Sequence, residues 1–191
     1  MKLLVVYASR HGATAGIAEQ LAATFADRGI RADVRPADIA PEPDAYDAVI
    51  VGGALYAGHW MAAARRYVQA NTAALRRKPV WLFSSGPLDD SAARAVVGPV
   101  HEVEQLAWSI SARGHETFGG RLDRSTARGL IARLMARSRS GDWRDLHHIA
   151  AWAEAIADSL TVNDAPRPAD KQAAFRRHPS FDPTAHVSPT G

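Results

Sequence analysis

The chain has 191 residues, enough for one domain with a substantial core, and none of them is cysteine. The absence of cysteine excludes disulfides, thiolate metal sites and a cysteine nucleophile. The net charge is +3, but seven arginines lie within residues 121–144. Because no basic surface extends over the rest of the chain, nucleic acid is not an expected partner.

No apolar run in the sequence approaches the eighteen or so residues that a membrane-spanning helix needs. The first residues enter an apolar segment directly and do not form a basic, cleavable leader. We therefore expect a cytoplasmic protein.

The N-terminal stretch predicts a phosphate site. The apolar run 3–7 is followed at once by small and hydroxyl residues at 8–16, a pattern typical of a buried parallel strand, a tight loop and a helix. The first amides of a helix lack partners inside it and attract anions together with the helix dipole. Ser9 and Thr14 add hydroxyl donors, and Gly12 lets the backbone turn. A tight turn with a capping threonine is the alternative.

The rest of the chain alternates predicted helices and strands. The predicted elements are a helix to about 28, an edge strand at 31–35, a loop at 36–44, a strand at 47–53, a helix at 61–75, a strand at 79–83, a helix at 99–112, a strand at 115–118 and a helix at 146–160. This alternation predicts an α/β fold with a parallel sheet covered on both faces. Ligands of such sheets bind beyond the carboxyl ends of the strands.

Several short motifs make the chain resemble the flavodoxin-like family over residues 2–160. They are Tyr7-Ala8-Ser9-Arg10-His11-Gly12-Ala13-Thr14, Tyr46-Asp47 leading to Ile50-Val51-Gly52, Tyr56-Ala57-Gly58-His59-Trp60 and Gly119-Gly120-Arg121-Leu122. The resemblance implies a doubly wound five-stranded parallel sheet of order 2-1-3-4-5 that binds FMN. Within the family, the motifs are most similar to those of the menaquinone-dependent protoporphyrinogen IX dehydrogenases, and an inserted basic helical segment precedes the last helix.

The resemblance implies that three loops surround the FMN. The phosphate would lie among residues of the first loop, which are Ser9, Arg10, His11, Gly12, Ala13 and Thr14. The flavin ring would lie between two further loops, which contain Ala54, Leu55, Tyr56, Ala57, Gly58, Ser84, Ser85, Gly86, Pro87 and Leu88. Arg10 or His11 could add positive charge at the phosphate, and a solvated loop side chain is the alternative for both.

The second loop contains the candidate residues for ring contact and proton transfer. Tyr56 and Trp60 are candidates to stack on the flavin, although one of them, with Trp60 favoured, could instead anchor the following helix. His59 is the candidate catalytic residue, because an imidazole near the ring edge could manage protons. The alternative is a capping or surface histidine. The third loop has no aromatic residue, which leaves one ring face open for a substrate.

Two further segments carry separate predictions. The insertion at 123–143 predicts a basic amphipathic helix, which could lie on the inner face of the plasma membrane through 124–139 or pack on the sheet edge. Residues 161–191 lack periodicity and predict a flexible tail behind a domain at 1–160. The histidines show no metal-ligand spacing, so no metal is expected.

The resemblance thus implies an FMN-dependent oxidoreductase that oxidises protoporphyrinogen IX with menaquinone as electron acceptor, in haem biosynthesis. Its partners would be the porphyrinogen or another reduced small molecule and a quinone, and a homodimer is left open. Two alternatives remain. One is a flavodoxin-type electron carrier or quinone reductase, and the other is a binding or regulatory module that keeps the fold without FMN.

Overall fold

The structure is a computed structural model that describes residues 1–56, 58–86, 98–122, 141–142 and 144–161. Its strands are β1 (Lys2–Ala8), β2 (Arg31–Pro36), β3 (Ala48–Tyr56), β4 (His59–Trp60), β5 (Val80–Ser85), β6 (Gly114–Phe118), β7 (Arg121–Leu122) and β8 (Gly141–Asp142). Its helices are α1 (Ala13–Asp27), α2 (Ala62–Ala70), α3 (Thr72–Leu75), α4 (His101–Ile110) and α5 (Leu146–Thr161), with a 3-10 turn at Pro43–Ala45.

The main sheet has the order β2-β1-β3-β5-β6, and these five strands are parallel. When only these five parallel strands are numbered in chain order, leaving out β4, their order is 2-1-3-4-5. This is the predicted order, so the predicted fold class is confirmed. The predicted edge strand β2 does lie at the sheet edge. The short strand β4 pairs antiparallel with the end of β3.

The core consists of two apolar layers, one on each face of the sheet. Successive residues of a strand point to opposite faces, and in β1 Leu3 and Val5 face one layer while Leu4 and Val6 face the other. Helices α1 and α5 cover the first face, and α2, α3 and α4 cover the second. The strands are apolar throughout because both of their faces are buried.

Helices α1 and α5 pack side by side, and both of their N-termini lie at the end of the sheet where the parallel strands terminate. At the C-terminal end of the pair, Arg28 forms an ion pair with Asp158 at 2.6 Å. At the N-terminal end, the carboxylate of Asp145 accepts hydrogen bonds from the amides of His147 and His148 and caps α5. The first turns of both helices therefore lie at the edge where the strands end.

Some predicted boundaries were wrong for local reasons. The predicted helix 61–75 is interrupted at Asn71, whose side chain donates to the carbonyl of Tyr67 while its backbone leaves the helical region. The predicted helix 99–112 starts at 101 and ends where Ser111 adopts a left-handed conformation, φ 53°.

Strands β4, β7 and β8 were not predicted, because two residues are too short to show a period. Strands β7 and β8 form an antiparallel ribbon that brackets residues 123–140. The predicted basic segment 123–143 lies outside the described residues apart from Gly141–Asp142, which form β8. The predicted tail also lies outside them, apart from Thr161 at the end of α5. No helix in the described ranges is both long and apolar enough to cross a membrane.

Candidate functional site

The three loops that the sequence predicts to bind a cofactor lie at one edge of the sheet. Strands β1, β3 and β5 are neighbours and parallel, and their last residues are in register, with Ala8 opposite Gly53 and Ala54 opposite Ser85. Parallel strands end at the same edge, so the loops that follow them are adjacent.

The first loop turns at Gly12, which precedes α1 with a left-handed backbone at φ 84°. Glycine adopts this conformation without the strain that a side chain generally brings. The amide of Gly12 donates to the Ser9 hydroxyl at 3.0 Å, and the Gly12 carbonyl accepts from the amide of Gly16. The Ser9 oxygen is thus an acceptor inside the loop, and its own proton can be donated to a ligand.

Thr14, in the first turn of α1, tests whether this loop fits a phosphate. Its side chain is fully buried, and its Oγ1 has no hydrogen-bond partner within the described part of the chain. A buried hydroxyl without a partner is destabilising by about 1–3 kcal/mol. An oxyanion acceptor at the helix N-terminus would supply the missing partner, so the residues of this loop fit a phosphate group.

Arg10 and His11 join the first loop to the second by contacts with Tyr56. The Arg10 guanidinium lies 5.5 Å from the centroid of the Tyr56 ring, and the His11 ring lies 6.3 Å from it at 65°. Tyr56 remains 40% exposed. Its partial burial raises the pKa of the phenol, and the charge of Arg10 opposes this shift. Tyr56 is therefore a neutral, accessible aromatic face beside a cation.

The second loop is a tight hairpin between β3 and β4. Tyr56 pairs with His59 and Leu55 with Trp60, Gly58 has φ 77°, and Ala57 lies outside the described residues. The amide of Met61 donates to the carbonyl of Ala54, which closes the hairpin onto the start of α2. The pairing presents Tyr56 and His59 side by side at the sheet edge.

Trp60 is buried, which agrees with the favoured prediction that it anchors the following helix and does not stack on the flavin. Its side chain is 2% exposed and lies against Gly53, where an added Cβ would come within 2.8 Å of the indole. The indole Nε1 donates to the Ser84 hydroxyl at 3.1 Å. Trp60 is therefore the anchor of the hairpin, and Tyr56 is the accessible aromatic residue.

A carboxylate from α4 holds the hairpin from the other side. Glu102 accepts a hydrogen bond from the backbone amide of Trp60 at 3.0 Å and forms an ion pair with Arg65. The Nδ1 atom of His59 lies 3.8 Å from the same carboxylate, and the His59 side chain is 71% exposed. Burial raises the pKa of Glu102, but the bonds from Arg65 and Trp60 outweigh it and leave the pKa below its ordinary value.

The third loop uses several of its donors within the protein. The Ser84 hydroxyl accepts from Trp60 and is hydrogen-bonded to Nε2 of His115 at 2.9 Å. Ser85 is buried, and the amide of Gly86 donates to the carbonyl of Phe118 at 3.0 Å. Pro87 and Leu88 lie outside the described residues. The flavin contacts expected of this loop stay predictions.

Sequence reasoning missed Glu102, Arg65 and His115, which support the site from outside the three loops. Glu102 stands in the first turn of a helix, where an acidic residue is common because it suits the helix dipole. Nothing in the spacing of the sequence links it to Trp60, 42 residues earlier. Within the described residues, no group of three histidine or acidic side chains could hold a metal ion.

The fold and the site define a doubly wound α/β protein with a loop that fits a phosphate group at the strand switch point and an aromatic residue beside it. The chain belongs to the flavodoxin domain family, whose model matches residues 4–140. This membership confirms the predicted family and indicates FMN as the cofactor.

Similar proteins of known name agree with this assignment. Protoporphyrinogen IX dehydrogenase [quinone] of Escherichia coli K12 is 33% identical over 86 residues, which are 44% of this chain and 48% of that protein. The same values hold for the protein of that name in Escherichia coli O157:H7. The chain thus matches about half the length of these curated relatives.

Solved structures show the same fold at low sequence identity. An archaeal flavodoxin has a TM-score of 0.60 at 14% identity and covers 84% of this chain and 99% of its own. The Streptococcus pneumoniae TIGR4 flavodoxin has a TM-score of 0.56 at 21% identity, covering 83% and 99%. Rubredoxin oxygen:oxidoreductase of Desulfovibrio gigas has a TM-score of 0.58 at 14% identity, covering 86% of this chain and 37% of its own.

Proposed function

We propose that this protein is an FMN-dependent oxidoreductase that oxidises protoporphyrinogen IX and passes the electrons to menaquinone, as a step of haem biosynthesis. The observation that carries the proposal is the contact of Arg10 and His11 with Tyr56, which joins the phosphate loop and the aromatic residue in one site. The 33% identity to a protoporphyrinogen IX dehydrogenase supports the choice of substrate and acceptor.

The first loop, Ser9–Thr14, would bind the phosphate end of the cofactor. Ser9 and Thr14 offer hydroxyls, Ala13 a backbone amide, and Gly12 the turn that exposes the helix N-terminus. Arg10 and His11 lie at the side of this loop that faces Tyr56. The segments 54–58 and 84–88 would line the flavin ring.

Bound FMN supplies hydride and electron transfer, and the protein residues position it and manage protons. Tyr56 would contact the ring as a neutral phenol, since its pKa is raised and it stays protonated at neutral pH. The third loop carries no aromatic residue at 84–88, which would leave room for a planar substrate on the opposite ring face.

His59 would accept or return the proton that accompanies hydride removal from the substrate. Its imidazole is exposed beside Tyr56 and has the Glu102 carboxylate 3.8 Å from Nδ1. That carboxylate is held ionised by Arg65 and the amide of Trp60. A fixed carboxylate beside Nδ1 orients the ring, so Nε2 would be the proton-carrying atom.

Four parts of the proposal have no support in the residues of the site: membrane contact, cellular location, oligomeric state and the tail. Contact of 124–139 with the inner face of the plasma membrane would bring the site close to a lipid quinone, and it stays a prediction. A cytoplasmic location, a homodimer and the flexible tail at 161–191 stay predictions as well.

The deciding experiment measures cofactor and activity on the full chain. We expect the purified protein to bind FMN, and the loaded enzyme to convert protoporphyrinogen IX to fluorescent porphyrin under anaerobic conditions only when menadione, a soluble menaquinone analogue, is present. FMN binding with menadione reduction but no porphyrin formation would favour the electron carrier or quinone reductase. A protein that binds no FMN would favour the binding module.

The role of His59 has a matched control on the same surface. His101 is also exposed, at 81%, and lies 3.8 Å from a carboxylate, that of Glu104, but it is not in the hairpin. We expect His59→Gln to lower kcat by about 100-fold and to remove one pKa from the pH profile. His101→Gln should leave both unchanged. Equal effects of the two substitutions would exclude His59 as the proton carrier.

A further inference from the structure

An open groove runs along one edge of the sheet, between the C-terminal half of α1 and the edge strand β2. Its volume is about 460 Å³, and it is lined by Ala22 and Ala26 of α1, by Gly29 and by residues 30–33. The groove lies where β2 starts, so it is at the opposite end of the sheet from the three cofactor loops. Whatever binds in it is therefore separate from the cofactor.

The outer side of β2 also presents main-chain groups for pairing. Within the described residues, β2 is the last strand of the sheet and pairs with β1 alone. The amide of Ala37 donates to the carbonyl of Tyr7 and so points toward β1. Because main-chain groups alternate in direction along a strand, those of Ala32 and Val34 point away from β1. The Val34 carbonyl does accept a hydrogen bond from the exposed guanidinium of Arg35, which agrees with this direction.

The charged side chains of β2 leave one carboxylate oxygen available. Arg31, Asp33 and Arg35 alternate along the strand and so lie on the same face. Asp33 contacts Lys2 at 3.0 Å and the Tyr46 hydroxyl at 2.9 Å, both through Oδ2, and its Oδ1 has no hydrogen-bond partner among the described residues. Charges on an edge strand usually prevent it from pairing with another chain. The spacing of these charges determines which pairings they prevent.

Three registers would join two copies of β2 antiparallel around a two-fold axis. An axis at Asp33 places the two carboxylates opposite each other and Arg31 opposite Arg35, so like charges repel. An axis at Val34 needs the Val34 carbonyl, which already accepts from Arg35. An axis at Ala32 places each Arg31 opposite Asp33 of the other copy, and the two Ala32 residues form a hydrogen-bonded pair. The groove also lies beside Ala32.

We propose that this protein forms a two-fold symmetric dimer in which the β2 strands of two copies pair antiparallel around Ala32. A second copy is the partner because the surface is self-complementary: each strand supplies both the arginine and the carboxylate that the other needs. The two grooves then face each other, and the two sheets become one continuous sheet. The cofactor loops stay open at the far ends of the strands, so the dimer is independent of the proposed function.

A single introduced cysteine tests the register, because the chain contains no other cysteine. In the proposed dimer the Cα atoms of the two Ala32 residues lie about 5.5 Å apart, within the range of a disulfide. Ala32→Cys should therefore form a covalent dimer under mild oxidation, seen on a non-reducing gel. Val34→Cys is the matched control, because it lies on the same face but the two sites would be about 14 Å apart. It should not cross-link.

Analytical ultracentrifugation of the full chain tests the dimer without a cross-link. We expect a dimer for the wild type at micromolar concentration. Ala26→Arg places a long side chain in the groove and should make the protein monomeric. Ala23→Arg is the control, since Ala23 is also exposed on α1 but does not line the groove, and it should stay a dimer. Far-UV circular dichroism should be unchanged in both variants, which separates a lost dimer from a lost fold.

A second pair of variants tests the charges. Arg31→Glu would face Asp33 of the other copy and should weaken dimerisation by about tenfold or more. Arg35→Glu removes an exposed arginine from the same face of the same strand and should change dimerisation by less than about twofold. The reverse order of effects, or cross-linking of Val34→Cys but not of Ala32→Cys, would place the axis at Val34 and overturn the proposed register.

Two further results would overturn the dimer itself. One is a wild-type protein that stays monomeric up to about 100 µM. The other is a monomer in which Ala26→Arg lowers the melting temperature far more than Ala23→Arg does, because the groove would then be filled by the segment 162–191 of the same chain. Since the groove lies away from the cofactor loops, a protein that bound no FMN would still show the dimer.

Discussion

The loops after β1 and β5 have similar sequences and different internal contacts. Each follows a buried apolar strand and contains serine and glycine. In the first loop, the hydroxyl of Thr14 has no partner in the described chain. In the third loop, the hydroxyl of Ser84 has two internal partners, and the amide of Gly86 donates to the carbonyl of Phe118.

The difference comes from the neighbours of each strand. β1 leads through a short loop into α1, whose first amides have no partners inside the helix. β5 lies between β3 and β6, so the hairpin places Trp60 over Ser84, and β6 extends far enough to accept from Gly86. A hydroxyl side chain is thus left without a partner in the first loop, where we propose that it binds a ligand, and stabilises the sheet in the third. Substitutions can test this contrast.

The largest effect is expected at Gly12. Valine at φ 84° is strained by about 1–3 kcal/mol, and it would distort the turn that presents the helix N-terminus. We expect Gly12→Val to weaken FMN binding by about 100-fold, as measured by fluorescence titration. Gly29→Val is the matched control, because Gly29 has φ 69° and open space at the other end of α1. It should destabilise the protein equally without affecting FMN.

Gly12→Asn sharpens this test, because asparagine tolerates the left-handed region better than other residues. It should retain most of the FMN affinity. If Gly12→Asn bound FMN as weakly as the valine variant, the conformation of the turn would not be what the site requires.

The next effect is expected at Ser84. Ser84→Ala leaves the buried indole Nε1 of Trp60 without an acceptor, which should lower the free energy of unfolding by about 1–3 kcal/mol. Chemical denaturation measures this change. If the Ser84 hydroxyl serves only the sheet, FMN affinity should change by less than about threefold. A large selective loss of FMN affinity would instead place this hydroxyl in the cofactor site.

Thr14→Val should have the opposite signature. Valine has nearly the shape of threonine but removes the unsatisfied hydroxyl, so the apo-protein should become more stable by about 1 kcal/mol. FMN binding should weaken by about tenfold, because one donor to the phosphate is lost. Thr24→Val, in the same helix, is the control: its hydroxyl donates to the carbonyl of Gln20. Thr24→Val should leave FMN affinity unchanged. A loss of stability in Thr14→Val would contradict the interpretation that the Thr14 hydroxyl has no hydrogen-bond partner.

The sequence predicts the fold more completely than the site, and particular residues show why. Apolar runs such as 3–7 and the turn at Gly12 are local signals, and the structure confirms the elements that they predict. The role of Trp60 depends on Gly53, Ser84 and Glu102, which meet only in the folded chain. The same limit applies to His115, since its hydrogen bond with Ser84 spans 31 residues and leaves no periodic pattern.

The smallest effect concerns the carboxylate that supports the hairpin, and it depends on pH. Because the folded-state pKa of Glu102 lies below the ordinary 4.5, the charged form stabilises the protein at neutral pH. This contribution is lost as the pH falls below about 4.5 through the folded-state pKa. We expect Glu102→Gln to be less stable than the wild type by about 1 kcal/mol at pH 7, with the difference shrinking as the pH falls below about 4.5.

Glu104→Gln is the control for this last measurement, since Glu104 lies on the same helix and faces only the exposed His101 in the described chain. It should change the free energy of unfolding little at either pH. A constant difference between Glu102→Gln and the wild type from pH 7 to pH 3 would show that the shape of the side chain matters and not its charge. If the difference in the free energy of unfolding vanishes in acid, the charge of the Glu102 carboxylate is what holds the hairpin, and with it Tyr56, at the ends of the strands.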